Sequence, residues 1–208
     1  MRWCVVSFQC KKVPNMYKHR GSIAIEMVLV LMGLSVCLGF AADLSRKTRL
    51  QGELDNLSYA AVNLLSEREL LFDHKIDVVQ DRPVSYSDAK IIHDIVRAEL
   101  ENQIPNFDDS RYALSVEGIT LINRSKRSQQ DKPALRRQAY FHFGNQEILG
   151  KRKPVTEMVK LAPFTSKKRF APMYRVTIYH RSHGIFNSVI GKGKQGAVMV
   201  SSSFSVGR

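Results

Sequence analysis

Glu26 is the only charged side chain in Ser22–Ala42, a stretch that reads SIAIEMVLVLMGLSVCLGFAA. A carboxylate on a helix in lipid costs roughly 2.5–3.5 kcal/mol at the bilayer centre and less near the end. An opposite charge in a low-dielectric helix bundle makes such an ion tolerable. The chemistry on offer at Glu26 is therefore electrostatic pairing with a cation from a neighbour. The plainer reading puts Glu26 at headgroup level, with its carboxylate reaching water.

Other residue groups offer less. His180 and His183 have a spacing that suits a metal on a helix, but His180 ends a strand-like run and no nearby Cys or acid completes a site. Gly191-Lys192-Gly193-Lys194-Gln195-Gly196 matches the G-x-G-x-x-G pattern of dinucleotide sites. A strand-like run follows it instead of a helix, so it reads as a hairpin or loop. There is no serine nucleophile elbow and no nucleophile paired with a base at a readable spacing. The sequence thus predicts no enzyme, no metal and no cofactor.

The element that positions Glu26 is the apolar run itself. As a helix, residues 22–42 span about 31 Å, close to the hydrocarbon thickness of a bilayer. Lys11, Lys12, Lys18 and Arg20 stand before it and favour a cytoplasmic N-terminus. Arg46, Lys47 and Arg49 follow it and weaken that asymmetry. Three fates compete for the run: an uncleaved signal anchor, a secretory signal peptide cut before Ala42 behind Gly39-Phe40-Ala41, or a leader cut upstream of the span.

The run continues into Asp43–Phe72. Leu50, Leu54, Leu57, Ala61, Leu64 and Leu71 follow alternating steps of four and three, with Arg68 on the same seam. This spacing predicts an amphipathic helix with a near-heptad stripe, loosened or kinked at Gly52. Residues 22–72 would form one helix of about 75 Å.

A basic stretch, Lys18-His19-Arg20, ends in Gly21, and the apolar span starts at Ser22 with an acid at its fifth position. This resembles the cleavage site of type IV prepilins. The resemblance implies a cut after Gly21 by a prepilin peptidase on the cytoplasmic side, with the helix retained. Glycine suits such a cut because it has no Cβ to obstruct a protease. It also implies that Glu26 pairs with the new amine of a neighbouring subunit's Ser22. Many type IV pilins begin with phenylalanine where this chain has Ser22, which leaves N-methylation open.

Further on, Leu54-Asp55, Ser58-Tyr59 and Glu67-Arg68 follow at spacings that look like the TadF group of tight-adherence pseudopilins. Ser201-Ser202-Ser203 and the terminal Gly207-Arg208 look similar too. The resemblance implies a role in assembling Flp-type pili, for adherence and biofilm formation. Gly21 and Ser22 carry over as processing residues and Glu26 as the assembly residue. Leu54, Asp55, Ser58, Tyr59, Glu67 and Arg68 carry over as family-pattern residues, read as structural. For Ser58-Tyr59, plain packing on the helix flank is favoured over chemistry. Adjacent Glu67 and Arg68 point to different faces and suit other partners better than each other.

Beyond Asp81-Arg82-Pro83, Ser85 or Ser87 caps a second helix to Gln103, with Ile91, Ile92, Ile95, Val96, Leu100 and Ile104 on one side. Pro105 and Asn106 end it. A period of two then predicts a strand through Tyr112, Leu114 and Val116, a bend at Gly118, and another strand through Ile119, Leu121 and Asn123. Arg124–Arg137 reads as an exposed loop. Tyr140–Phe143, Tyr174–His180 and Val198–Phe204 read as further strands.

The charge of +13 is uneven: residues 1–21 carry five Lys/Arg and no acid, residues 22–131 carry 12 against 17, and residues 132–208 carry 15 against two. A basic tail after an acidic middle suits an anionic partner or a charged neighbouring subunit. Lys151–Lys153 and Lys167–Arg169 are solvated loops on the bland account and subunit contacts on the sharper one. Residues 38–208 contain no cysteine, so no disulfide staples that region.

The expected fold class is α+β and pilin-like: a long N-terminal transmembrane and spine helix, a second helix and an antiparallel sheet. The expected parts are a leader peptide at 1–21, a transmembrane helix at 22–42, a spine helix at 43–72 and a periplasmic domain at 73–208. The expected partners are a prepilin peptidase, other pilins and pseudopilins, inner-membrane pilus assembly proteins and the lipid bilayer, with no nucleic acid. The placement is bacterial inner membrane, single-pass, with possible entry into a pilus. The alternative function is a signal-anchored or secreted envelope protein with a binding or adhesin domain.

Overall fold

The structure, a computed structural model, describes residues 20–67, 83–123, 133–150, 155–165, 170–182 and 196–207. The chain divides into two compact units, Met1–Leu44 and Ser45–Arg208. Helix α1 is Arg20–Ser66, followed by a turn at Glu67. The predicted stretch from Arg68 to Phe72 lies outside the described residues.

In the second unit, α1 buries Leu54, Leu57, Ser58, Ala61, Val62 and Leu65. Leu50 and Leu64 of the predicted stripe pack at its margin. The stripe is therefore wider than steps of four and three suggest. This width suits a helix lying on a sheet, where a broad apolar face is covered, better than a narrow coiled-coil seam.

Helix α2 spans Tyr86–Gln103, as the sequence predicts, with Ser85 as its N-cap. The Ser85 backbone N–H donates to Asp88 Oδ2 at 3.3 Å, one arm of a capping box. Ile104 closes the helix through its N–H to Leu100 O at 2.9 Å, and Asn106 turns the chain with φ of 57°. The buried face is Ala89, Ile92, Val96 and Leu100. Ile91 and Ile95 point outward, a correction to the sequence expectation: the buried row Ala89, Ile92, Val96 and Leu100 runs in steps of three and four, and each isoleucine lies one residue, about 100° around the helix, before a member of it.

Four strands follow: β1 Tyr112–Asn123, β2 Pro133–Gly144, β3 Met173–Arg181 and β4 Val198–Val206. They form one antiparallel sheet in the order β2-β1-β3-β4. A short helix α3, Thr156–Leu161, lies between β2 and β3 in the chain. Leu114 pairs with Ile178 and Val116 with Val176, and these side chains join α1 and α2 in the main core. The opposite sheet face carries two smaller clusters. One joins Ile119, Leu121 and Met173 to Met158 and Phe170, and the other joins Ala113, Tyr179 and Ile148. The fold is α+β, as expected.

Two strand readings are corrected. β1 does not bend at Gly118 but runs through it. A Cβ there would stand 2.5 Å from Val84 Cγ2 and 3.1 Å from Pro83 Cβ, so the glycine makes room for the chain entering α2. The predicted loop Arg124–Arg137 is strand from Pro133 onward, since β2 pairs with β1 as far as Pro133–Asn123 across a register shift at Thr120/Leu121. An exposed edge strand carries charges readily, so Arg136 and Arg137 do not exclude strand.

Candidate assembly surface

Helix α1 offers a different surface in each unit. In the first unit, every large apolar side chain from Ile23 to Phe40 is more than half exposed. This segment is long and apolar enough to cross a membrane. The Ser35 hydroxyl donates to Leu31 O at 2.8 Å, so its polar group is satisfied within the helix. Glu26 is exposed on the same helix, and the backbone of Gly21 and Ser22 is already helical. Cys37 is a free, exposed thiol.

In the second unit, α1 meets the sheet along a polar seam. Ser58 is fully buried. Its hydroxyl lies 3.0 Å from Asp55 O, 2.8 Å from Ser201 Oγ and 2.7 Å from Ser203 Oγ. All three contacts are satisfied at once if Ser58 donates its single proton to the Asp55 carbonyl and accepts those of Ser201 and Ser203 on its two lone pairs. Ser205 Oγ donates to Asn63 Oδ1 at 3.3 Å, and Gln51 Nε2 reaches Val200 O at 3.4 Å.

This seam joins two features that the sequence showed separately, Ser58 and the serine run of β4. The remaining family-pattern residues part company. Leu54 enters the apolar core and Tyr59 is 61% exposed. Asp55 is exposed and accepts from Gln51 Nε2 at 3.0 Å. Glu67 is exposed in the turn after α1, its N–H donating to Asn63 O. Arg68 lies outside the described residues, as do residues 151–153, 167–169 and 191–195. His183 does too.

The period of two in Val198, Val200, Ser202 and Phe204 predicts a strand, and β4 is one. Val198, Val200, Ser202 and Phe204 do share a face, but it is the face away from α1, and Val198 and Val200 are exposed. Ser201, Ser203 and Ser205 take the helix side, with Met199 packed at the margin of the main core.

Sequence reasoning missed an ion pair in the sheet. Glu117 and Arg175 face each other across β1 and β3, both buried. Arg175 Nε donates to Glu117 Oε2 at 2.6 Å, and Nη2 contacts the same oxygen. The guanidinium lies 5.9 Å from the Phe204 ring centroid. The signal was Glu117 as the single acid of β1 and Arg175 as a base set well inside the buried run of β3.

His180 is buried beside Tyr112 in the β1–β3 register. Burial, with Arg111 nearby, holds its imidazole below the usual histidine range. Burial likewise pushes the Tyr112 phenol up. Among the described residues no group of three His, Cys, Asp or Glu side chains could hold a metal ion.

The family model described as "Putative tight adherence pilin protein F" (TadF) matches residues 15–208. Neither a curated protein nor a solved structure matches the chain.

Proposed function

The chain belongs to the TadF family of tight adherence pilin proteins, and from this premise we propose that it is a minor pseudopilin of a Flp-type pilus assembly system. A pilus-related role and an apolar helix suited to a single-pass anchor are what the family and the helix give directly. The finer reading adds that a prepilin peptidase cuts between Gly21 and Ser22 at the cytoplasmic face of the inner membrane. The helix stays in the bilayer, and the second unit faces the periplasm. Mature subunits then associate through their apolar helices, with Glu26 accepting the Ser22 amine of a neighbour. The resulting pilus supports adherence and biofilm formation.

The observation that carries this reading is the exposure of the helix from Ile23 to Phe40 on all sides. Each such side chain gains about 1.5–3 kcal/mol on leaving water. A helix of this kind requires lipid or other apolar helices around its whole circumference. Within either surrounding, the Glu26 carboxylate gains most from an opposite charge, and a freshly exposed amine at Ser22 supplies one.

The deciding experiment determines the N-terminus of the protein recovered from membranes. A start at Ser22, with Gly21→Phe retaining residues 1–21, supports the proposal. A start at Met1 or Ala42 in the unmodified protein overturns it.

A further inference from the structure

β4 occupies the edge of the sheet and pairs with β3. Among the described residues none of its hydrophobic side chains is fully buried, and only Met199 and Phe204 pack, partly buried, at the margins of the two larger clusters. Toward α1 it presents Ser201, Ser203 and Ser205, and on its other face Val198, Val200 and Val206 are 37–40% exposed. β3 is the opposite case, buried at every position from Met173 to His180. The apolar residues of α1 belong to one cluster with α2, β1 and β3, to which β4 adds only the half-buried Met199 at the margin beside its hydroxyl contacts with the helix.

The two kinds of contact respond differently to opening. Apolar contacts resist it because exposing their surface to water is unfavourable. Hydroxyl and ladder hydrogen bonds are exchanged for bonds to water at small net loss. Elements with few buried apolar contacts open at lower free energy than the global core.

From this contrast we infer that β4 is a detachable clasp, which lifts off α1 and the edge of β3 while α1, α2, β1 and β3 remain packed together. The Ser58 hydroxyl is its catch. When β4 leaves, Ser58 loses both serine partners and the outer edge of β3 is uncovered. When β4 returns, one hydroxyl fixes helix and strand in a single register, because Ser58 reaches Ser201 and Ser203 together. The inference rests on the second unit alone and does not depend on where the N-terminus is cut.

Hydrogen exchange read by mass spectrometry on the full chain in detergent micelles tests it. The expected result is that amides of Val200–Ser205 exchange well before those of Leu114–Val116 and Val176–Ile178. Ser58→Ala should speed the β4 amides about tenfold while leaving β1 unchanged. A chain ending at Ala197 should keep its protection in β1 and in Ile92–Leu100. Equal exchange across β1, β3 and β4, equal acceleration of all three by Ser58→Ala, or loss of protection in the shortened chain overturns the inference.

Discussion

Arg175 and Glu117 stand directly opposite each other in the β1–β3 register, and the arginine Nε lies 2.6 Å from the Glu117 carboxylate with both side chains buried. Two charges removed from water in this way stabilise little as a pair, yet either one alone is costly. Glu117→Ala is therefore expected to destabilise the second unit by about 3–5 kcal/mol. The double replacement Glu117→Leu with Arg175→Met should recover most of that loss. Urea denaturation of the wild type, both single variants and the double variant closes the cycle. A double variant no more stable than Glu117→Ala would show that the pair is needed for more than mutual neutralisation.

Stability should fall in mild acid through His180. Its folded value lies below the ordinary value of 6.5, so the unfolded chain takes up the proton first as pH drops. The contribution is present in full above pH 6.5 and is lost as pH falls through the depressed folded value. His180→Asn should flatten the dependence. Thermal midpoints at several pH values below and above 6.5, compared between the two proteins, check this.

Two glycines should respond oppositely to alanine. At Gly118 the new methyl group meets Val84 Cγ2 at 2.5 Å, and Val84 is itself fully buried. Overpacking of this kind costs about 1–3 kcal/mol. At Gly52, inside α1, a Cβ meets nothing within 4 Å. Gly52→Ala should stabilise by about 0.5–1 kcal/mol through helix propensity. Denaturant midpoints of the two variants should move in opposite directions.

Glu26→Leu separates insertion from assembly. The substitution removes the charge from the apolar segment, so membrane insertion should be undiminished. Recovery of assembled pili by shearing should fall by at least about tenfold, the order expected when an interacting charge is removed from a buried pair. Normal piliation by this variant would place Glu26 at the headgroups instead.

Much of the architecture was legible because local signals agreed with the fold. A serine cap at Ser85 or Ser87, the Pro105-Asn106 stop and the apolar run from Ser22 each act within a few residues, and each predicted its element. The misread positions depend on contacts far away in the chain. Gly118 signals a bend locally, and only the approach of Val84 shows why a strand needs a residue without a Cβ there. Ile91 and Ile95 resemble core residues until the placement of α2 on the sheet decides which side is covered. In β4 the period of two was clear, but period alone does not say which face meets the helix. The Ser58 seam was half visible: both serine features could be read, and their meeting could not.

Cys37 turns the exposed helix into its own depth gauge. Cys4 and Cys10 are the other thiols in the chain, and both lie within residues 1–21. A protein without that segment carries a single sulfhydryl, held on an apolar surface. Oxidation joins two such thiols when their Cα atoms come within about 4.4–6.8 Å. Equivalent helices packed side by side at one level would yield a covalent dimer, whereas neighbours offset by more than a helical turn would yield none.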